Sequence, residues 1–221
     1  KMLFNSIQFL LFLPIVVVLY FNIKQKYRWI LLLISSYYFY MTWRAEYALL
    51  IIVSTLVNYF SALWIYKTDN IRKKRLFLGL SLLVDLGLLF TFKYFNFVNN
   101  SIKDFLNLFS IQFSPLVLKV LLPVGISFYT FQTIGYTIDV YKGRIKPEKH
   151  LGIFALYVSF FPQLVAGPIE RAKNLLPQFF EKNYFNYKGV TDGLKLMLWG
   201  FFKKIVIADR LAIIVDQVYG N

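Results

Sequence analysis

The sequence predicts an all-α fold: a polytopic transmembrane helical bundle with interrupted and interfacial helices. Composition is the first reason, since 58% of the 221 residues are hydrophobic and 20% aromatic, more than the interior of a soluble domain this size can hide. The second is a set of five apolar runs, Leu3 to Asn22, Arg28 to Glu46, Tyr47 to Tyr66, Leu76 to Val98 and Leu116 to Tyr141. A hydrocarbon core of about 30 Å takes about 20 helical residues, and four of the five runs supply that many. The third is an alternation of charge. Lys24 to Arg28, Lys67 to Arg75 and Lys142 to Lys149 are basic, whereas Thr42 to Glu46 and Asn99 to Pro115 are nearly neutral. Basic loops face the cytoplasm, which puts the N-terminus outside and makes this a multi-pass protein of the cytoplasmic membrane.

Bulk charge points the same way. The formal net charge of +14 could suggest a nucleic-acid partner, but the Lys and Arg residues sit at span ends rather than in one patch. Nucleic acid is therefore not an expected partner, and the lipid bilayer is. There is no Cys, which excludes disulfides, thiolate nucleophiles and Cys-based metal sites within these residues. Leu3 to Asn22 lacks the basic leader and small-residue cleavage site of a signal peptide, so it reads as a retained span. Gly220 and Asn221 follow an apolar helix without a polar tail. Residues 1–221 are thus expected to form a single membrane domain, the N-terminal part of a longer protein.

Each run carries its own signals. The second places Trp29 and Trp43 near its two ends, about 21 Å apart along a helix, which makes that span short or tilted. In the third, Ser54, Asn58 and Ser61 recur on one helical face and read as hydrogen-bonding contacts to a neighbouring helix. Asp85 lies near the middle of the fourth and must be paired, protonated or wet. A functional carboxylate and a structural pair with a basic residue are both open. Lys93 can snorkel to the outer interface. Asn99 to Pro115 reads as an outer loop holding a short amphipathic helix with Ile102, Phe105, Leu106 and Phe109 on its apolar face.

Leu116 to Tyr141 is broken by Pro123 and Gly125. Beyond the break, Tyr129, Gln132, Tyr136 and Asp139 make one polar stripe that lipid would not tolerate. It should face the bundle interior or a water-filled cavity, as packing glue or as a binding site. Leu151 to Ala166 is short for a span and ends at Gly167-Pro168, so it either crosses or is re-entrant. Asp192 to Tyr219 reads as a helix with a continuous apolar face, but the six charged residues from Lys195 to Asp216 suit the interface or the wall of an aqueous passage.

Site motifs of high specificity are missing. No metal-ligand cluster, glycine-rich phosphate loop or nucleophile motif occurs, so no metal and no bound cofactor are expected. Ser127 and Ser159 lack a nearby base. His150, the single histidine, opens a helical segment after a basic loop and reads as structural or exposed.

Three ordered blocks carry a resemblance. Leu122-Pro-Val-Gly-Ile-Ser-Phe-Tyr-Thr-Phe-Gln132 continues through Tyr136 to Gly143; Phe160-Phe-Pro-Gln-Leu-Val-Ala-Gly-Pro-Ile169 is followed by Glu170-Arg171; and Gly193 to Lys204 leads to Ala208-Asp209-Arg210. Together they resemble the membrane-bound O-acyltransferase (MBOAT) family, more narrowly its bacterial alginate-acetylating branch, and the likeness runs the length of the chain. It implies helices around a tunnel in the bacterial inner membrane. It also implies an acyl donor, acetyl-CoA or another cytoplasmic acyl carrier, and a polysaccharide acceptor reached with secreted or periplasmic acyltransferase partners. The family's catalytic histidine is expected beyond Asn221, so these residues alone should be inactive, and His150 does not match its surroundings.

On that resemblance, Gln132, Tyr136, Asp139, Gln163, Gly167, Pro168 and Arg171 are candidates for the tunnel wall or substrate path. Lys203 and Lys204 are candidates for attracting an anionic donor, although interfacial cations also bind lipid headgroups. The reading from a different class is a transporter or channel-like component of a polysaccharide export system, because broken helices and buried polar stripes also mark transport pathways.

Overall fold

Capping side chains and glycine turns cut this apolar sequence into helices. The computed structural model describes residues 2–109, 123–165 and 167–220, so the Leu116 to Leu122 part of the fifth run, the end of the Asn99 to Pro115 segment and Ala166 lie outside the described residues. The helices are α1 (Ile7–Asn22), α2 (Gln25–Met41), α3 (Ala48–Lys67), α4 (Ile71–Leu89), α5 (Phe95–Asn107), α6 (Ile126–Tyr141), α7 (Leu151–Ser159), α8 (Phe161–Leu164), α9 (Ala172–Gln178), α10 (Tyr187–Phe201) and α11 (Asp209–Tyr219). No strand occurs among the described residues.

Local chemistry sets the boundaries. Asn70 Oδ1 caps α4 by accepting from the Arg72 and Lys73 amides at 2.9 and 3.4 Å, and Asn186 caps α10 in the same way. His150 Nδ1 accepts from the Ile153 amide at 3.2 Å and caps α7, while its ring meets Trp29 edge-on. The end of α6 is a Schellman turn. Gly143 sits at φ +69°, its amide donates to the Val140 carbonyl, and the Arg144 amide donates to Asp139.

Two helical segments are long and apolar enough to cross a membrane, Ala45–Lys67 and Ile71–Asn107. The second bears on the sequence reading of Asn99 to Pro115: the short helix expected there, with Ile102, Phe105 and Leu106, is present within α5. A five-residue π-turn, Phe90–Tyr94, carries α4 straight into α5, so this helix continues the fourth one rather than standing apart within a loop. The helical backbone runs through Asn99, Asn100 and Ser101. Leu76, Leu83 and Phe90 are exposed along this helix, an apolar surface that lipid would cover. The other expected spans are shorter helices of 16 or 17 residues, about 24 to 26 Å long.

The chain divides into two compact units, Lys1–Met2 with Ile23–Glu181, and Leu3–Asn22 with Lys182–Asn221. In the first, α6 packs against α3 and α4, and α7 packs on α2 and α3. Its core joins Ile51, Tyr59, Ile65, Tyr129, Tyr136 and Phe154, among others. In the second, a π-turn at Phe202–Ala208 joins α10 to α11, making one helix across the expected Asp192 to Tyr219 segment, and Phe21 of α1 meets Phe185 edge-on.

Candidate functional site

Three helices converge on one carboxylate. Asp85 is fully buried, and its Oδ1 accepts from Ser54 Oγ at 2.7 Å. Its Oδ2 accepts from Asn58 Nδ2 and Thr133 Oγ1, each at 2.8 Å, and Thr137 donates to Asn58 Oδ1 at 2.7 Å. The partners are neutral side chains of α3 and α6, not a basic residue from another helix. The Ser54 and Asn58 face thus does join helices, as their spacing suggests. Thr133 and Thr137 are functional-looking residues that the sequence reading missed. Their signal, two Thr four residues apart, is too common to notice without Asp85 in view.

The stripe on α6 turns another way. Tyr129, Gln132 and Tyr136 are buried. Gln132 Nε2 donates to the Tyr157 carbonyl at 2.8 Å, and Gln163 Nε2 donates to the same oxygen at 3.1 Å. The break between α7 and α8 explains this demand. At Phe160 the helix stops and restarts at Phe161-Pro162, and the Phe161 amide, which would have served Tyr157, instead donates to Ser36 Oγ of α2 at 3.2 Å. Side chains on α2, α6 and α8 therefore satisfy backbone groups freed inside the bundle.

A cavity of about 290 Å³ opens beside this junction, lined among others by Gln132, Tyr136, Asp139, Arg144, Glu170 and Arg171. Four of the expected wall residues, Gln132, Tyr136, Asp139 and Arg171, come together here although they are spread over 40 positions of sequence. Tyr136 Oη accepts the Glu148 amide at 2.9 Å, and Tyr157 Oη donates to the Glu170 carbonyl at 3.1 Å, which pins both flanking loops. The Schellman turn returns Arg144 over α6, where Nη1 meets Asp139 Oδ1 at 3.2 Å.

Gln163 and Gly167 stand behind the wall. The Gly167 amide donates to the Gln163 carbonyl at 3.1 Å, and a Cβ at Gly167 would lie 2.4 Å from Gln163 Cα, so only glycine fits that turn. Pro168 is exposed after it. Arg171 is exposed, and it has no ion-pair partner among the described residues. Lys203 and Lys204 belong to the second unit. Lys204 is paired with Asp209, and Lys203 Nζ lies 5.3 Å from the Trp199 ring centre. Among the described residues no group of three or more His, Asp and Glu side chains gathers as metal ligands do.

The cavity is thus a mixed-charge pocket at the basic end of an apolar helix. Its two guanidiniums can hold an anionic group, and the Gln132, Tyr136 and Tyr157 side chains supply polar contacts.

The chain is 42% identical to the probable alginate O-acetylase of Pseudomonas aeruginosa, over 99% of this chain and 42% of that protein. It is 36% identical to the peptidoglycan O-acetyltransferase of Helicobacter pylori, over 97% of this chain and 46% of the relative. A teichoic acid D-alanyltransferase of Streptococcus thermophilus matches 44% of the chain and 22% of its own length at 31% identity. No family model and no solved structure matches. The chain spans somewhat under half the length of the O-acetylating relatives it matches. Near-complete coverage of this chain at this identity, together with the three sequence blocks, makes it similar to the front part of these O-acetylating relatives and is consistent with the membrane-bound O-acyltransferase family.

Proposed function

We propose that this chain is part of a membrane O-acyltransferase, an O-acetyltransferase that passes an acyl group from a cytoplasmic donor to hydroxyls of an envelope or exported polysaccharide. One observation carries the reading. Two relatives matched over nearly the whole chain are named for O-acetylating alginate and peptidoglycan. The D-alanyltransferase match is shorter and less similar, which favours acetyl over D-alanyl transfer. The pocket at the end of α6 supports the reading with polar and cationic groups at one place.

Transfer to a hydroxyl needs a base for the acceptor proton and donors for the oxyanion that forms. A histidine outside these 221 residues takes the first role in this reading. The present residues supply the wall: Gln132, Tyr136 and Asp139 from α6, and the turn from Gln163 through Gly167 and Pro168 to Arg171. Arg171 draws the anionic donor, acetyl-CoA or another acyl carrier, toward the cytoplasmic side. Lys203 and Lys204 would assist, with Lys204 already sharing its charge with Asp209. Secreted or periplasmic acyltransferases complete delivery to the polysaccharide.

Deletion of the gene, followed by O-acetyl analysis of envelope glycans, tests the proposal. Ester loss in the deletion and recovery with the complete protein are expected; unchanged acetylation would overturn it. Donor affinity of a Lys203→Ala/Lys204→Ala variant of the complete protein tests the cation assignment, which an unchanged value removes.

A further inference from the structure

A second cavity, about 250 Å³ in volume, is not used in the acyl-transfer reading above. It shares Ala172 with the first and is lined by Ile145, Lys146, Glu148, Lys173, Leu176, Pro177 and Phe180. Its walls are chemically divided. Ile145, Leu176, Pro177 and Phe180 are apolar, and Phe180 remains 58% exposed. Lys146 and Lys173 are exposed cations, and among the described residues neither has an ion-pair partner. Glu148 also lines the cavity, and its Oε1 accepts from the His150 amide at 2.8 Å. The loop bearing Lys146 is held in place, because Tyr136 Oη accepts from the Glu148 amide and Tyr59 Oη donates to the Lys149 carbonyl.

We propose that this cavity binds the headgroup of an anionic phospholipid of the inner leaflet, with the phosphate between Lys146 and Lys173 and the acyl chains along Leu176 and Phe180. A soluble phosphate would use the lysines but leave the apolar wall facing water. An amphiphile satisfies both halves, and basic pockets beside spans on the cytoplasmic side suit anionic headgroups. The site requires the 142–149 loop to face the cytoplasm. It does not require acyl transfer, so failure of the acetylation test leaves it standing.

Native mass spectrometry of the complete protein, carried from mixed micelles of phosphatidylglycerol and phosphatidylcholine, tests it. Phosphatidylglycerol should be retained selectively. Lys146→Gln/Lys173→Gln should weaken its retention by about thirtyfold, the equivalent of about 2 kcal/mol for two lysines. Lys146→Arg/Lys173→Arg should keep it. Arg72→Gln/Lys73→Gln, which removes the same charge from another basic segment, should change it less than about threefold. Equal retention of the two lipids would overturn the proposal, as would an equal loss in the Arg72/Lys73 variant. Displacement of the lipid by inorganic phosphate would assign the lysines to a soluble anion and also overturn it.

Discussion

Asn58 on α3 donates its side-chain amide to Asp85 Oδ2 on α4 at 2.8 Å, and its own carbonyl accepts from Thr137 on α6. One asparagine therefore ties three helices through a buried carboxylate. Because Asp85 has no cationic partner among the described residues, the cluster works through hydrogen bonds rather than ion pairing.

Truncating the carboxylate should loosen this junction. Asp85→Ala removes three hydrogen bonds, and at about 0.6 kcal/mol for each contact inside a membrane the loss should be about 2 kcal/mol. Asp85→Asn can keep part of the set and should lose less. Unfolding of the complete protein in detergent checks both; equal stability of wild type and Asp85→Ala would remove the cluster's structural role.

Much of this arrangement was legible in the sequence. Hydrophobic runs located the helices, the Ser54 and Asn58 spacing marked a face that contacts neighbours, and the Gln132 to Asp139 stripe pointed inward. The helix at 99–107 was legible from its apolar face, but its continuity with the fourth helix was not, because the π-turn at Phe90–Tyr94 leaves no pattern in the sequence. Nor was Asp85's partner set, since hydrogen bonds between helices separated by 27 to 48 residues leave no local pattern. Arg144 escaped notice because its contact with Asp139 depends on the Gly143 turn rather than on helical spacing.

Gln132 and Gln163 share one acceptor, so their effects should not add. Each single change to Ala leaves the Tyr157 carbonyl one donor and should cost less than about 1 kcal/mol. The double change leaves a buried carbonyl unserved, at about 1 to 3 kcal/mol. A double-mutant cycle measures the difference; strict additivity would show that the two amides act independently.

Gly167→Ala should disturb the turn that leads to Arg171. Its Cβ would meet backbone atoms of Gln163, and overpacking of this kind costs about 1 to 3 kcal/mol. Gly167→Ser should behave alike, because the obstacle is the Cβ itself. Thermal unfolding of both variants checks this, and wild-type stability in either would mean that the turn relaxes freely.

Arg171→Ala should raise the KM for an anionic acyl donor by about five- to tenfold, the scale of one exposed charged contact. Stability should hold, since the side chain is exposed. Arg171→Lys should recover part of the affinity. Steady-state kinetics of the complete enzyme separates donor capture from a change in kcat, and an unchanged KM would remove Arg171 from the donor path.

The most direct test of the whole account is single-cysteine labelling, which these Cys-free 221 residues permit without background of their own. In the complete protein, with cysteines elsewhere replaced, Cys introduced at Lys73 or Lys146 should react with an impermeant maleimide only in inverted vesicles. Cys at Glu46 should react only in intact cells, and Cys at Asp85 or Thr133 in neither. Labelling at Lys73 or Lys146 from outside intact cells would contradict the cytoplasmic placement on which the pocket, the donor path and the lipid site all depend.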